Sequence, residues 1–168
     1  LVAPFTSVPK EILNHLGLLD PHGWTALYDA VFLSVQQMRR AANPRRALLV
    51  LSDGDDNNSR YSESEVLSLV READVRVYAI GLFTKTRCLE KMTEETGGRM
   101  ITVHNLSELP AAIQKLSLEM RNQYVLGYFS TNAVNDGRYR KVRVVVRPPA
   151  GAPPVHVSWR RGYVVPSE

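Results

Sequence analysis

Cysteine is nearly absent from this sequence, and so are the signatures of several large protein classes. Cys88 is the one cysteine among 168 residues, which excludes an internal disulfide. No apolar run approaches the roughly 18 residues that a membrane-spanning helix needs. The glycine-rich motifs of phosphate- and dinucleotide-binding enzymes are absent, as is the Gly-x-Ser-x-Gly motif of serine hydrolases. The net charge is only +4 and the hydrophobic fraction is 44%, so we expect a globular protein with a packed core.

The basic residues are concentrated near the C-terminus. They are Arg138, Arg140, Lys141, Arg143, Arg147, Arg160 and Arg161. This cluster is not accompanied by a recognised nucleic-acid-binding motif. Charged side chains on a solvated edge strand, where they discourage aggregation, explain it with fewer assumptions. We therefore expect no nucleic-acid partner.

Apolar periodicity predicts an alternation of helices and strands over most of the chain. Helices are predicted over residues 9–18, 26–40, 62–73, 86–96 and 107–122, and strands over 46–51, 75–82, 99–103 and 123–129. The run 46–51 is apolar without alternation, which is typical of a parallel strand buried on both faces. The pattern predicts an α/β fold with a doubly wound, Rossmann-like, mostly parallel sheet.

The predicted alternation of helices and strands ends at residue 129. Residues 131–137 end in Asp-Gly, a turn signal, and residues 139–147 alternate valine with basic residues. A last short strand is predicted over 155–159. We therefore expect two units: an α/β domain over residues 1–129 and an antiparallel β extension over 130–168, packed on or beside it.

An acidic loop follows the first predicted strand directly. Residues 51–58 read Leu-Ser-Asp-Gly-Asp-Asp-Asn-Asn. Ligands of open α/β sheets bind at the carboxyl ends of the strands. Carboxylate and amide oxygens suit a hard cation such as Mg²⁺ or Ca²⁺, although the same residue types also favour ordinary turns. An EF-hand is excluded, because its sixth and twelfth positions would be Asn58 and Ser64.

A second motif, Gly-Trp-Thr-Ala-Leu-Tyr-Asp, occupies residues 23–29. Taken alone, Thr25 is best interpreted as the N-cap of the helix that follows. Taken with Leu-Ser-Asp-Gly-x-Asp, the motif resembles the second and third elements of the metal-ion-dependent adhesion site of von Willebrand factor type A domains. The bacterial A-domain-related subfamily is more similar still, since it also carries Tyr-Val-Leu-Gly-Tyr, here 124–128, and Arg-Arg-Gly-Tyr, here 160–163.

The resemblance implies a protein-binding or adhesion module and not an enzyme. It implies that the hydroxyl of Thr25 and the carboxylate of Asp53 bind Mg²⁺, or Mn²⁺ or Ca²⁺ in its place. The cation would keep one position open for a carboxylate of a partner protein. Accessory metal or ligand contacts are expected from the neighbouring residues Ser52, Asp55, Asp56 and Trp24. The relatives also imply a location outside the cytoplasm or at the cell envelope.

One element of the family is absent from this sequence. The Asp-x-Ser-x-Ser motif, which the family places after its first strand, occurs nowhere in the chain. We therefore expect an N-terminally incomplete domain that binds a cation weakly or not at all. We also expect strand 46–51 to present an unpaired apolar edge that promotes self-association. Two alternatives remain open: a metal-dependent hydrolase that uses Asp53 and Asp55, and a structural domain with a vestigial metal site.

Overall fold

The protein is a mixed α/β structure with a parallel sheet and a small antiparallel sheet. Its computed structural model describes residues 3–20, 22–54, 56–132, 134–153 and 155–167. The helices are α1 (Pro9–Leu16), α2 (Leu27–Met38), α3 (Glu63–Glu72), α4 (Arg87–Thr96) and α5 (Leu109–Arg121), the last preceded by a 3₁₀ turn at Leu106–Glu108. The strands are β1 (Arg46–Ser52), β2 (Val75–Leu82), β3 (Met100–Val103), β4 (Tyr139–Lys141) and β5 (Gly162–Val164).

The parallel sheet has the order β1-β2-β3, so β2 is central. Arg46 lies opposite Val75 at one end of the β1–β2 pair and Ser52 lies opposite Gly81 at the other. β2 is apolar and buried along most of its length, as expected of a strand covered on both faces. The predicted strands 46–51, 75–82 and 99–103 are therefore confirmed to within one residue at each end.

Each face of the parallel sheet carries its own apolar cluster. One face is covered by α2, α3 and α4, which pack the side chains of Val31, Val70 and Leu89 against Val77 of β2. The other face is covered by α5, whose Leu116 packs with Ile80 and Val103. Helices on both faces explain why β2 shows no polar alternation.

Local sequence signals set two of the helix ends. Ser62 and Glu65 form a capping box at the start of α3, with each side chain accepting a hydrogen bond from the other residue's backbone N–H. α4 ends at Gly97, which adopts the left-handed conformation with φ of 75°. Both signals lie within a few residues of the helix end that they set.

The C-terminal residues form a small antiparallel sheet, in which Tyr139 pairs with Val164 and Lys141 with Gly162. The segment before β5 contacts the ends of two helices of the α/β part. The N–H of Arg161 donates to the carbonyl of Glu95 at 3.1 Å. The guanidinium of Arg160 donates to the carbonyls of Arg71 and Ala73 at 2.9 and 3.2 Å, at the end of α3.

Three strand predictions for the second half of the chain are wrong. Residues 123–129 form no strand, because they pair with no described neighbour and most of their large side chains, including Phe129, are exposed. The predicted strand 139–147 is limited to Tyr139–Lys141. The predicted strand 155–159 is absent, and β5 lies further along the chain at Gly162–Val164.

β1 is an edge strand, since the described residues place β2 on one side of it and no strand on the other. Leu49 and Leu51 are 39% and 48% exposed, which is high for apolar residues in a parallel sheet. α1 also has no buried residue. Within the described part of the chain, no helix is both long and apolar enough to cross a membrane.

Candidate functional site

The two motifs singled out in the sequence lie together at the carboxyl end of β1. We call the contact between residues 25–29 and residues 56–61 the loop junction. The N–H of Thr25 donates to the side-chain oxygen of Asn57 at 2.8 Å. The carbonyl of Thr25 accepts from the N–H groups of Asn57 and Asn58 at 3.0 and 3.2 Å. These three hydrogen bonds fix the backbone of Thr25 against the acidic loop.

Asp56 is held in the loop junction by the start of α2. Its Oδ1 accepts from the N–H of Tyr28 at 3.1 Å, and its Oδ2 accepts from the N–H of Ser59 at 3.2 Å. The hydroxyl of Ser59 also donates to Asp56. Burial works to raise the pKa of Asp56, but the hydrogen bonds from Ser59 and from the first turn of α2 outweigh it and lower the pKa below its usual value.

Asp29, a residue of α2, in turn accepts hydrogen bonds from the loop. Its Oδ1 accepts from the N–H groups of Arg60 and Tyr61 at 2.8 and 3.1 Å. Its own N–H donates to the hydroxyl of Ser59 at 3.0 Å. Each segment therefore accepts hydrogen bonds from backbone N–H groups of the other. These reciprocal bonds fix the position of the two segments relative to each other in the loop junction.

The structure does not support the N-cap interpretation of Thr25. The N-cap position of α2 is Ala26, and no side-chain hydrogen bond comes from it. Side chains roughly thirty residues further along the chain, Asp56 and Ser59, accept from the first-turn N–H groups instead. Sequence reasoning missed this long-range cap because capping motifs are recognised only between near neighbours.

Ser52 shapes the turn that follows β1. Its side chain is buried, and its hydroxyl donates to the carbonyl of Gly54 at 2.8 Å. The N–H of Gly54 donates back to the same hydroxyl at 3.3 Å. The hydroxyl of Thr86, just before α4, donates to the carbonyl of Gly54 at 3.4 Å. The hydroxyl of Ser52 is therefore committed to the turn.

Asp53 and Trp24 are the exposed members of the predicted set. Asp53 lies directly after Ser52 with an exposed side chain, and Trp24 is 76% exposed. Thr25 is half-buried. Asp55, predicted as an accessory contact, lies outside the described residues.

The chemistry available here is that of an oxygen-rich surface on which, among the described residues of the loop, the carboxylate of Asp53 is exposed. Mg²⁺ takes six oxygen ligands and commonly keeps several waters. Thr25 and Asp53 would offer such a cation one hydroxyl and one carboxylate, a donor set that suits at most a largely hydrated ion. The described residues contain no cluster of three or more histidine, cysteine, aspartate or glutamate side chains that would hold a metal ion by themselves.

The interior behind the loop junction holds Tyr28 and Cys88. Burial, followed by the neighbouring thiol of Cys88, raises the pKa of Tyr28 well above its usual value. Cys88 itself is buried.

Comparisons with known proteins assign no family to this chain. No protein-family model matches the chain, and no curated protein matches it. A solved structure of an uncharacterised membrane-spanning protein from Vibrio fischeri is similar, with a TM-score of 0.43 and 18% identity over 68% of this chain and 67% of that one. A likeness this weak supports no inference about fold family or function.

Proposed function

We propose that this chain is part of a protein-binding module of the von Willebrand factor A type, in which Thr25 and Asp53 hold a divalent cation. The proposal includes a doubly wound sheet with the site at its carboxyl edge. The observation that carries it is the backbone contact between Thr25 and the acidic loop, through hydrogen bonds of 2.8, 3.0 and 3.2 Å. Two motifs separated by more than twenty residues are thereby brought to one edge of the sheet.

The distribution of negative charge favours capture of a partner over tight metal binding. The carboxylate of Asp56 is engaged by Tyr28 and Ser59, whereas Asp53 is exposed. A divalent cation bound by Asp53 would keep excess positive charge. An acidic side chain of a partner protein is the ligand that neutralises it, and water fills the other positions. Trp24, exposed beside Thr25, offers an aromatic surface to the same partner.

Titration calorimetry with Mg²⁺ and with Mn²⁺ tests the cation site. We expect binding with a Kd on the order of 1 mM, as in sites with few protein ligands. Thr25→Val and Asp53→Asn each remove one ligand and should abolish the signal. Asp20→Asn, which removes an exposed carboxylate outside the loop junction, is the matched control and should bind as the unmodified protein does. Equal binding by the unmodified protein and both ligand variants would overturn the proposal.

The partner's chemistry is tested with an acidic probe. A fluorescent oligoglutamate peptide should bind in the presence of Mn²⁺ and dissociate when EDTA is added. Trp24→Gly should weaken this binding while leaving the affinity for Mn²⁺ unchanged. Binding of the peptide that persists in EDTA would indicate plain electrostatic attraction to the basic C-terminal residues, and would count against a cation-mediated contact.

A second candidate is a structural domain whose metal site is vestigial. Two observations favour it, since Asp56 is used as a helix cap and Ser52 is used in the turn after β1. The same calorimetry separates the candidates, because the vestigial domain gives no heat of binding with either cation. Nothing among the described residues specifically favours the metal-dependent hydrolase.

A further inference from the structure

A cavity of about 660 Å³ lies between the α/β part of the chain and the segment that leads into β5. Its lining comes from α4 and the turn after it, from the start of β3, from α5 and from residues 156–161. β3 lies at the opposite edge of the parallel sheet from β1, so the cavity is separate from the loop junction. Sites for small ligands usually measure about 300–1,000 Å³, and this cavity therefore admits a small organic molecule.

The wall nearest the C-terminus is held in place by contacts with the rest of the chain. The N–H of Arg161 donates to the carbonyl of Glu95 at 3.1 Å, and the indole N–H of Trp159 donates to the carbonyl of Val142 at 3.0 Å. The backbone of Trp159 also packs against Gly97, where an added Cβ would lie 2.4 Å from its carbonyl carbon. The cavity therefore has a fixed shape before a ligand binds, which reduces the entropy cost of binding.

Three basic residues line the cavity, namely Arg99, Lys115 and Arg161. The charge of Arg99 is already paired, because its guanidinium lies 2.8 Å from the carboxylate of Glu119. Lys115 and Arg161 are exposed, and neither forms an ion pair within the described part of the chain. The guanidinium of Arg161 lies over the ring of Trp159, 4.3 Å from the ring centroid. Two unpaired cations therefore remain for a ligand.

Two acidic residues, Glu90 and Glu94, also line the cavity. The carboxylate of Glu90 is paired with Lys85 at 2.6 Å. Glu94 is exposed and has no ion-pair partner among the residues that the structure describes. The unpaired charges of the lining are thus two positive and one negative. This excess of positive charge favours an anionic ligand.

Apolar residues contribute to the same lining, and they are Met100, Ile101, Val157 and Trp159. A ligand that carries an apolar part beside its charge covers this surface, whereas an inorganic ion does not. Phosphate and carboxylate oxygens accept short, strong hydrogen bonds from ammonium and guanidinium groups. A guanidinium that stacks on an aromatic ring still has the N–H donors at its edge for such a ligand.

We propose that this cavity binds a small organic anion, whose phosphate or carboxylate group contacts Lys115 and Arg161 and whose apolar part packs on Met100 and Ile101. This site is independent of the cation proposed at Thr25 and Asp53. Its ligand is bound directly by basic side chains and needs no metal ion.

NMR titration in EDTA with phenyl phosphate and with benzoate tests the site without any contribution from a bound cation. The chain has two tryptophans, so two indole N–H signals report on two places. We expect the signal of Trp159 to shift with a Kd on the order of 1 mM, as for a ligand of this size, and the signal of Trp24 to stay unchanged. The tighter of the two probes identifies the charged group that the site prefers. No shift of Trp159 with either anion would overturn the proposal.

Two further probes separate the charged and apolar parts of the ligand. Benzyl alcohol has the ring without the charge, and inorganic phosphate has the charge without the ring. Each should bind at least about fivefold more weakly than the better of the two aromatic anions, because each loses one kind of contact. Equal binding of benzyl alcohol would show a purely apolar cavity and contradict an anion site.

Charge variants test the residues themselves. Lys115→Gln and Arg161→Gln should each weaken binding of the anion by about fivefold, and Glu94→Gln should strengthen it. Lys115 and Glu94 are exposed without ion pairs, so their variants should keep the circular dichroism spectrum of the unmodified protein. Lys10→Gln, which makes the same change of charge on α1, is the matched control and should leave the affinity unchanged. Equal weakening by Lys10→Gln and Lys115→Gln would indicate an effect of net charge alone and overturn the proposal.

Discussion

The carboxylate of Asp56 accepts a hydrogen bond from the backbone N–H of Tyr28 at 3.1 Å and so caps a helix that begins 29 residues earlier in the chain. The first turn of a helix leaves four N–H groups without partners. A side chain from a distant loop gives one of these N–H groups a partner, and the same hydrogen bond fixes the loop against the helix. The stability of α2 and the geometry of the candidate site therefore depend on the same side chain.

Asp56→Ala should lower the free energy of unfolding by about 1–2 kcal/mol, the usual effect of losing a helix cap. The loss also frees Ser59, whose N–H and hydroxyl both donate to Asp56. Urea denaturation followed by circular dichroism measures the change. Asp53→Ala is the matched control, since its exposed side chain should contribute less than about 0.5 kcal/mol. Equal effects of the two substitutions would contradict the capping role.

The lowered pKa of Asp56 predicts a dependence of stability on pH. A carboxyl group whose pKa is lower in the folded state stabilises that state above its unfolded pKa of about 3.9. This contribution is lost as the pH falls through the folded value. The difference in unfolding free energy between the unmodified protein and Asp56→Asn should be constant above about pH 5 and shrink in more acidic solution. A difference that stays constant down to pH 2.5 would count against it.

Arg160 should be more important for stability than its surface position suggests. Its guanidinium donates to two carbonyls at the end of α3 and lies 3.0 Å from the carboxylate of Asp74. Arg160→Met should cost about 1–2 kcal/mol, because hydrogen bonds from charged groups are stronger than average. Arg138→Met, whose side chain is 83% exposed, should cost almost nothing. Thermal unfolding of the two variants under the same conditions compares their losses of stability.

Gly97 is predicted to tolerate no side chain. Its φ is 75°, and a Cβ there would lie 2.4 Å from the backbone carbon of Trp159. Gly151 has a similar φ of 82° with open space around it, so Gly151→Ala measures the backbone strain alone. Gly97→Ala should be more destabilising than this control by at least about 1 kcal/mol. It should also increase proteolysis of the C-terminal segment, and equal stability of the two variants would contradict the close contact.

The parallel sheet could be predicted because its signals are local. Residues 46–51 and 75–82 are apolar runs of strand length, and Gly97 marks a helix end, so a short window of sequence is enough. Residues 123–129 show the limit of this reasoning. Their aromatic and β-branched residues favour a strand, but a strand also needs a neighbour, and no described strand lies beside them.

The candidate site was predicted only in part, for a similar reason. Thr25 and Asp53 are predicted as metal ligands from their motifs, and the structure brings the backbone of Thr25 into contact with the loop that follows Asp53. The roles of Asp29, Asp56 and Ser59 depend on hydrogen bonds across about thirty residues, which no spacing rule describes. The Asp-Asn-Asn composition of the loop suggested ligands, whereas Asp56 and Asn57 hold the backbone of the opposite segment.

Paramagnetic NMR with Mn²⁺ tests the central claim most directly. We expect the amide signals of Thr25 and Asp53 to broaden first as Mn²⁺ is added, and excess Mg²⁺ to restore them. Asp53→Asn should remove the effect at both residues while Asp20→Asn leaves it unchanged. Broadening centred on other carboxylates, or unchanged spectra at millimolar Mn²⁺, would contradict a cation site formed by Thr25 and Asp53.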